Sequence, residues 1–132
     1  MTDAVNLSRT YVHLGTGARA TPVPDFAWDE TFLTGYGQRF AADGDEGRLV
    51  CIAPHEANWE RWERHPAGEE VVVVLSGHLE VVQDVGGDIR VIEVRAGEAV
   101  TNPAGMWHTA NVVERCAALY ITPGRGTEHR DR

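Results

Sequence analysis

Between Arg48 and Thr122 the chain is cut into short apolar runs by Gly, Pro and Asp at near-regular spacing, and this punctuation constrains the fold more than any other feature. Turn residues recurring this often exclude helices of ordinary length but suit strands of five or six residues. RLVCIA reads as one strand and Ala57 to His65 as the next. Val71 to Leu75 is an unbroken apolar strand that turns at Ser76-Gly77 into Leu79 to Gln83, a hairpin signal. A turn at Gly86-Gly87-Asp88 leads to Ile89 to Val94, and Ala96-Gly97 turns into Ala99 to Thr101. Pro103-Ala104-Gly105 precedes Trp107 to Val113, and Ala117 to Thr122 ends the series. Short strands at this spacing predict an all-β sandwich or barrel.

The flanks are less regular. Gly15 to Asp25 shows no periodicity, and Gly35, Gly37, Gly44 and Gly47 interrupt the stretch leading up to Arg48. Residues 1–47 therefore read as an arm of loops and edge strands wrapping the core, without a helix of three turns. GRGTEHRDR, residues 124–132, reads as a polar, flexible tail beyond a barrel core at 48–123. With 132 residues, 42% of them hydrophobic, the chain supports one core and one domain. Its net charge of −8 argues against nucleic acid, because a phosphate backbone selects basic surfaces. The opening MTDAVNLSRTYVHL lacks the basic start and apolar run of a secretory leader. No stretch approaches the roughly 18 apolar residues that span a bilayer, so a cytoplasmic protein without membrane contact is expected. Cys51 and Cys116 lack CxxC spacing and read as reduced, buried thiols. Nucleophile elbows, dinucleotide fingerprints and phosphate loops are all missing from the sequence.

Chemistry concentrates in two patches. In WERHPAGEEVVVVLSG, Glu63 and His65 are two apart and leave the same face of an extended strand. Glu70 opens the apolar strand after a Pro-Ala-Gly turn, and the parity that turns Val72 and Val74 inward also turns Glu70 inward, ahead of its neighbour Glu69. NPAGMWH repeats the order of turn, strand and histidine and ends on His108. Two carboxylates and two imidazoles suit a borderline divalent cation. Structural roles compete: His65 beside Pro66 as a turn cap, and Glu63 as an ion-pair partner of Arg61 or Arg64. Parity along Ala57 to His65 would also turn Trp59 and Arg61 inward. A buried Arg needs a carboxylate or an anionic ligand, so Arg61 and Trp59 become candidate substrate contacts, and Glu63 the competing partner for Arg61.

These patches resemble the two motifs of the cupin superfamily. Glu63-x-His65, four residues, Glu70, six residues, Gly77 matches the first, with Glu in place of its first His. Gly97, five residues, Pro103-x-Gly105, two residues, His108 matches the second. The resemblance covers Arg48 to Pro123. Ala57 replaces the opening Gly of the first motif, and Asn111 falls one residue before the family Asn, which places it on the other barrel face.

The resemblance implies a double-stranded β-helix, or jelly-roll barrel, with one divalent ion (Mn, Fe, Zn or Ni) held by Glu63, His65, Glu70 and His108. A two-His, two-Glu set is harder and more anionic than the usual three-His, one-Glu set, which favours Mn or Fe(II). The implied function is metal-dependent chemistry on a small oxygenated or acidic substrate, by an isomerase, lyase, decarboxylase or dioxygenase. A non-catalytic small-molecule binding or sensing module is the alternative, and a metal-free barrel serving assembly is a third. Trp62 and Trp107, large aromatics among polar strand neighbours, point to a homodimer, as is common in the superfamily.

Overall fold

Two long strands carry the architecture. In a computed structural model that describes residues 3–132, β5 (Glu70–Val85) and β8 (His108–Thr122) run antiparallel along most of their lengths, from Val71 opposite Ile121 to Gln83 opposite His108. Around them lie β1 (Tyr11–Gly15), β2 (Arg19–Val23), β3 (Arg48–His55), β4 (Arg61–Arg64), β6 (Asp88–Arg95), β7 (Ala99–Asn102) and β9 (Glu128–Asp131). The sheet runs β2-β1-β3-β8-β4-β9, and β5 branches from β8 to pair with β6 and β7. This is a curled antiparallel sheet, the all-β barrel expected.

The two strands stay continuous where the sequence suggested breaks. Ser76-Gly77 is a bulge inside β5, not a hairpin turn, and the register with β8 shifts between Val74 and Leu79. The bulge inverts side-chain parity: Val72 and Val74 are buried before it, and Leu79, Val81 and Gln83 after it. A strand expected to turn back instead bends around the barrel corner. The hairpin signal at Gly86-Gly87 does become a turn, with Val85 opposite Asp88.

The core follows from that parity. Val72, Val74, Leu79 and Val81 meet Leu49 and Cys51 of β3, Val94 of β6, and Ala110, Cys116, Ala118 and Tyr120 of β8. Full burial of a Leu or Val contributes about 1.5–3 kcal/mol, so these strands supply most of the folding energy. Both cysteines are buried and unpaired, and burial pushes the Cys51 thiol up to about 11.

Two flanking segments differ from expectation. The glycine-punctuated stretch contains a helix, α1 (Glu30–Arg39), where loops were expected. Asp29 caps it by accepting from the Phe32 amide at 2.7 Å, and Arg39 complements the dipole in the last turn. Phe32 and Tyr36 both pack on Phe26, while Phe40 stacks on His13 with ring centroids 3.8 Å apart. Aromatic packing at four-residue spacing outweighs the cost of Gly35 and Gly37. Beyond the barrel, residues expected to form a free tail make β9, paired to β4 from Arg61–Asp131 through Arg64–Glu128.

Strand β9 also gives the outer tryptophans a partner. The Arg130 guanidinium lies 5.1 Å from the Trp62 ring centroid and 4.6 Å from that of Trp107, and Arg64 covers Trp107 at 4.6 Å. Both rings are half-buried within the protomer, which removes the exposed-aromatic argument for pairing through them. Among the described residues no helix is long and apolar enough to cross a membrane.

Candidate metal centre

Glu63, His65, Glu70 and His108 meet, each offering one ligand atom within 4.8 Å of the others. Strand pairing explains the convergence. Glu63 of β4 sits opposite His108, the first residue of β8, and Glu70 opens β5 with Asn102 of β7 across from it. His65 follows β4, and its carbonyl accepts from the Gly105 amide at 3.0 Å, so the Pro-x-Gly turn is tied directly to the histidine it faces.

Ring orientation is set by acceptors behind each histidine. The Thr127 hydroxyl donates to the Gly124 carbonyl at 2.9 Å, so it accepts from His65 Nδ1–H at 2.8 Å. His108 Nδ1–H donates to the Met106 carbonyl at 3.2 Å. With a proton fixed on each Nδ1, both Nε2 atoms turn toward the carboxylates. His65 Nε2 is buried and without a hydrogen-bond partner. It lies 3.4 Å from Glu63 Oε1 and 3.2 Å from Glu70 Oε2, while His108 Nε2 lies 3.4 Å from Glu63 Oε1 and 3.3 Å from Glu70 Oε1.

Those separations exceed the usual 2.7–2.9 Å of a charge-assisted hydrogen bond, roughly by half an ångström. They match donors sharing an ion. Bonds of about 2.1 Å place neighbouring ligands about 3.0 Å apart on an octahedron and about 3.4 Å apart on a tetrahedron. Spacing, tautomers and the orphaned Nε2 all fit a divalent cation.

The electrostatics agree. Burial alone would lower both imidazoles, but the close carboxylates of Glu63 and Glu70 outweigh it and push His65 and His108 up to about 9. Burial alone would raise the carboxyls, but the two histidines hold Glu63 and Glu70 well below the usual carboxylate range. Two imidazolium protons thus balance two carboxylates in the metal-free protein. A divalent ion replacing those protons leaves the net charge unchanged.

Glu70 is the most enclosed member, and its remaining acceptors are filled. Thr122 Oγ1 donates to Oε2 at 2.6 Å and Asn102 Nδ2 donates to Oε1 at 3.1 Å, with Gln83 Nε2 donating in turn to Asn102 Oδ1 at 2.9 Å. Glu63 stands at the open side, 22% exposed, with its Oε2 3.4 Å from His129 Nε2. Asn102, Thr122, Thr127 and His129 were not foreseen from the sequence as support. Asn102 lay inside the noted NPAGMWH patch, but only the β5–β7 register reveals its partner.

The candidate substrate contacts separate. Trp59 sits beside His108 with ring centroids 6.4 Å apart, and its buried Nε1 has no partner. Arg61 is 61% exposed, and its nearest acidic neighbour is Asp131, with Nε 3.9 Å from Oδ1. Arg61 is the first residue of β4, two before Glu63 and outside the converging cluster, so it sits at the rim. The inward Arg61 is corrected: it contacts neither the site nor Glu63. Asn111 does face outward, donating to Glu80 at 3.2 Å and accepting from Arg132 at 2.6 Å. Inside the barrel, Trp59, Tyr120, Leu79 and Val81 fill the space beside His108 and leave no room for a water molecule.

No curated protein matches the chain in sequence. Among solved structures, a cupin-2 domain protein from Shewanella frigidimarina is 25% identical with a TM-score of 0.50, over 58% of this chain and 70% of that one. A double-stranded β-helix protein from Klebsiella pneumoniae is 22% identical with a TM-score of 0.53, over 64% and 76%. Hydroxypropylphosphonic acid epoxidase from S. wedmorenis shares the fold at 10% identity and a TM-score of 0.50, over 57% of this chain and 43% of its own. The family model for the cupin domain matches residues 48–122, the stretch that builds this barrel and its four converging side chains, and the chain belongs to the cupin family.

Proposed function

We propose that this cupin holds one divalent metal ion through Glu63, His65, Glu70 and His108 and uses it on a small oxygenated or acidic substrate. The supporting observation is the pair of imidazoles with Nδ1 committed to Thr127 and Met106 and both Nε2 atoms facing two carboxylates. When bound, the ion supplies Lewis acidity toward a substrate oxygen, the chemistry of an isomerase, lyase, decarboxylase or, with Fe(II), a dioxygenase. The protein's own groups do the rest. Asn102 and Thr122 hold Glu70 rigid, and the apolar filling beside His108 excludes water from the inner side. Substrate approaches from the Glu63 side, the exposed edge of the cluster. Arg61, at the rim, is not a clamp for it.

One observation favours a second reading, a non-catalytic binding or sensing cupin. Among the described residues, those lining the space beside His108 fill it and leave no room there for a small molecule. Metal content separates the readings. Wild type purified without chelators carries close to one transition metal ion per chain, and His108→Ala loses it while keeping its cooperative melt, because the strands supply the burial energy. If wild type stays metal-free after reconstitution with Mn, Fe, Ni and Zn, the enzyme reading falls and the binding module replaces it.

A further inference from the structure

We propose that the C-terminal segment is part of the metal centre: Thr127, just before β9, and His129 within it are positioning residues that hold His65 and Glu63 in ligating orientation. This rests on the metal-binding reading above and assigns work to a segment beyond the family match at residues 48–122.

Three observations carry the inference. Thr127 supplies the only hydrogen bond found for the His65 ring among the described residues, at 2.8 Å, and its own proton is committed to Gly124. It therefore accepts from Nδ1–H and dictates that Nε2 is the nitrogen that gives up its proton and turns a lone pair to the ion. His129 lies directly across β4 from Glu63, with Nε2 3.4 Å from Oε2. Glu63 Oε1 is the oxygen facing both ligand histidines, so His129 stands against the atom that the centre leaves over, close enough to form a hydrogen bond on a small side-chain shift. An unengaged Oε2 leaves the carboxylate free to rotate about its last bond, whereas an engaged one fixes which oxygen faces inward.

The strand is anchored without these two side chains. Arg130 stacks on Trp62 and Trp107 and donates to Asp84 at 2.8 Å. Arg132 donates to the Trp59 and Ala110 carbonyls at 3.0 and 3.2 Å. β9 therefore remains docked when Thr127 or His129 is replaced, and the replacements read orientation rather than folding.

The test uses the full-length metal-free protein, with Zn(II) and Mn(II) titrated separately against a chromophoric chelator. Removing a partner that orients a ligand weakens metal binding about 10–100-fold. Thr127→Val and His129→Ala should each show a loss in that range, at unchanged stoichiometry and with metal-free melting temperatures close to wild type. Thr127→Ser restores the acceptor and His129→Gln restores a donor at similar reach, and both should recover affinity to within about threefold of wild type, well inside the range lost by removal. Wild-type affinity in both Thr127→Val and His129→Ala overturns this inference while leaving the metal reading intact. Equal losses in the removing and restoring variants also overturn it, since orientation would then not be the cause. A wild type that binds neither ion sinks the underlying metal reading instead.

Discussion

Gly77→Ala is expected to be among the most damaging single-methyl additions in this protein. Gly77 sits in the β5 bulge at φ +79, where an added Cβ would lie 2.0 Å from the Arg115 carbonyl oxygen and 2.8 Å from Cys116 Cα. Both contacts are backbone, so no side chain can swing aside. Restoring an ordinary separation moves β8 away by more than an ångström, where Val74 pairs with Ala118 and Ser76 with Ala117. The left-handed conformation costs an alanine about 1–2 kcal/mol. Two strained ladder hydrogen bonds add about 1 kcal/mol each, for a total of about 3–4 kcal/mol. For a chain of this length that lowers the melting temperature by about 10–15 °C. Gly97→Ala is the control: its φ is +86 but nothing lies within 4 Å, so it carries the conformational cost alone. Calorimetry of the two variants beside wild type separates the terms. A Gly77→Ala melt that matches Gly97→Ala would refute the close approach of β5 and β8 at this corner.

Gly35→Ala should act in the opposite direction, because Gly35 lies inside α1 with nothing within 4 Å, and a mid-helix Gly costs about 0.5–1 kcal/mol relative to Ala; a rise of a few degrees in melting temperature is expected, and no rise would count against the helix. At pH 7, metal uptake should release close to two protons, since His65 and His108 are both pushed up to about 9, against about half a proton for unshifted imidazoles; calorimetry in buffers of differing ionisation enthalpy counts them. The same shifts set the pH dependence of the metal-free melt. Stabilisation by the histidines is full below their unfolded value of 6.5 and is lost as pH rises through about 9, while that of the depressed carboxyls is present above 4.5 and lost on acidification, so stability should peak between 4.5 and 6.5. Glu63→His should keep the ion bound and add one positive charge to the loaded centre, so oxalate should bind more tightly than to wild type, as a competition titration would read.

The legible part of this protein was the part governed by local rules. Alternation placed Glu70 inward beside Val72 and Val74, and the Pro-x-Gly turn delivered His108, because each depends on a few consecutive residues. The bulge at Gly77 was misread, since a Ser-Gly pair between apolar runs looks the same whether the strand reverses or bends; only the carbonyl of Arg115, 38 residues away in sequence, distinguishes them. Parity names a face but not a depth: Arg61 shares a strand with Glu63, yet as the first residue of β4 it lies at the rim, 61% exposed. α1 was hidden by Gly35 and Gly37 because its stability comes from aromatic partners on the N-terminal arm rather than from its own propensities. β9 was hidden by its polarity. Its register is set by Arg130 on two tryptophans and by cross-strand partners, none of which leaves an apolar pattern to read.

Glu63 shows how those hidden elements and the site depend on each other. An imidazole at this position would present one nitrogen to the centre and turn a donating N–H away from it, which calls for an acceptor. A carboxylate brings a second oxygen, an acceptor that sits at the rim facing His129 of β9, and the residue just before that strand, Thr127, stands behind His65. The carboxylate also changes the charge of the loaded centre. Two carboxylates and two neutral imidazoles around a divalent ion sum to zero, where a single carboxylate would leave one positive charge. With Glu70 and His108 each about 2% exposed, neutrality lowers the cost of keeping the assembly out of water. It also weakens the pull on an anion, and Arg61 at the rim offers no compensation from the face where the sequence placed it. An acidic ligand therefore has to be attracted by the ion's open positions alone. Of the two substrate types in the proposed function, the uncharged oxygenated one is better matched to this centre.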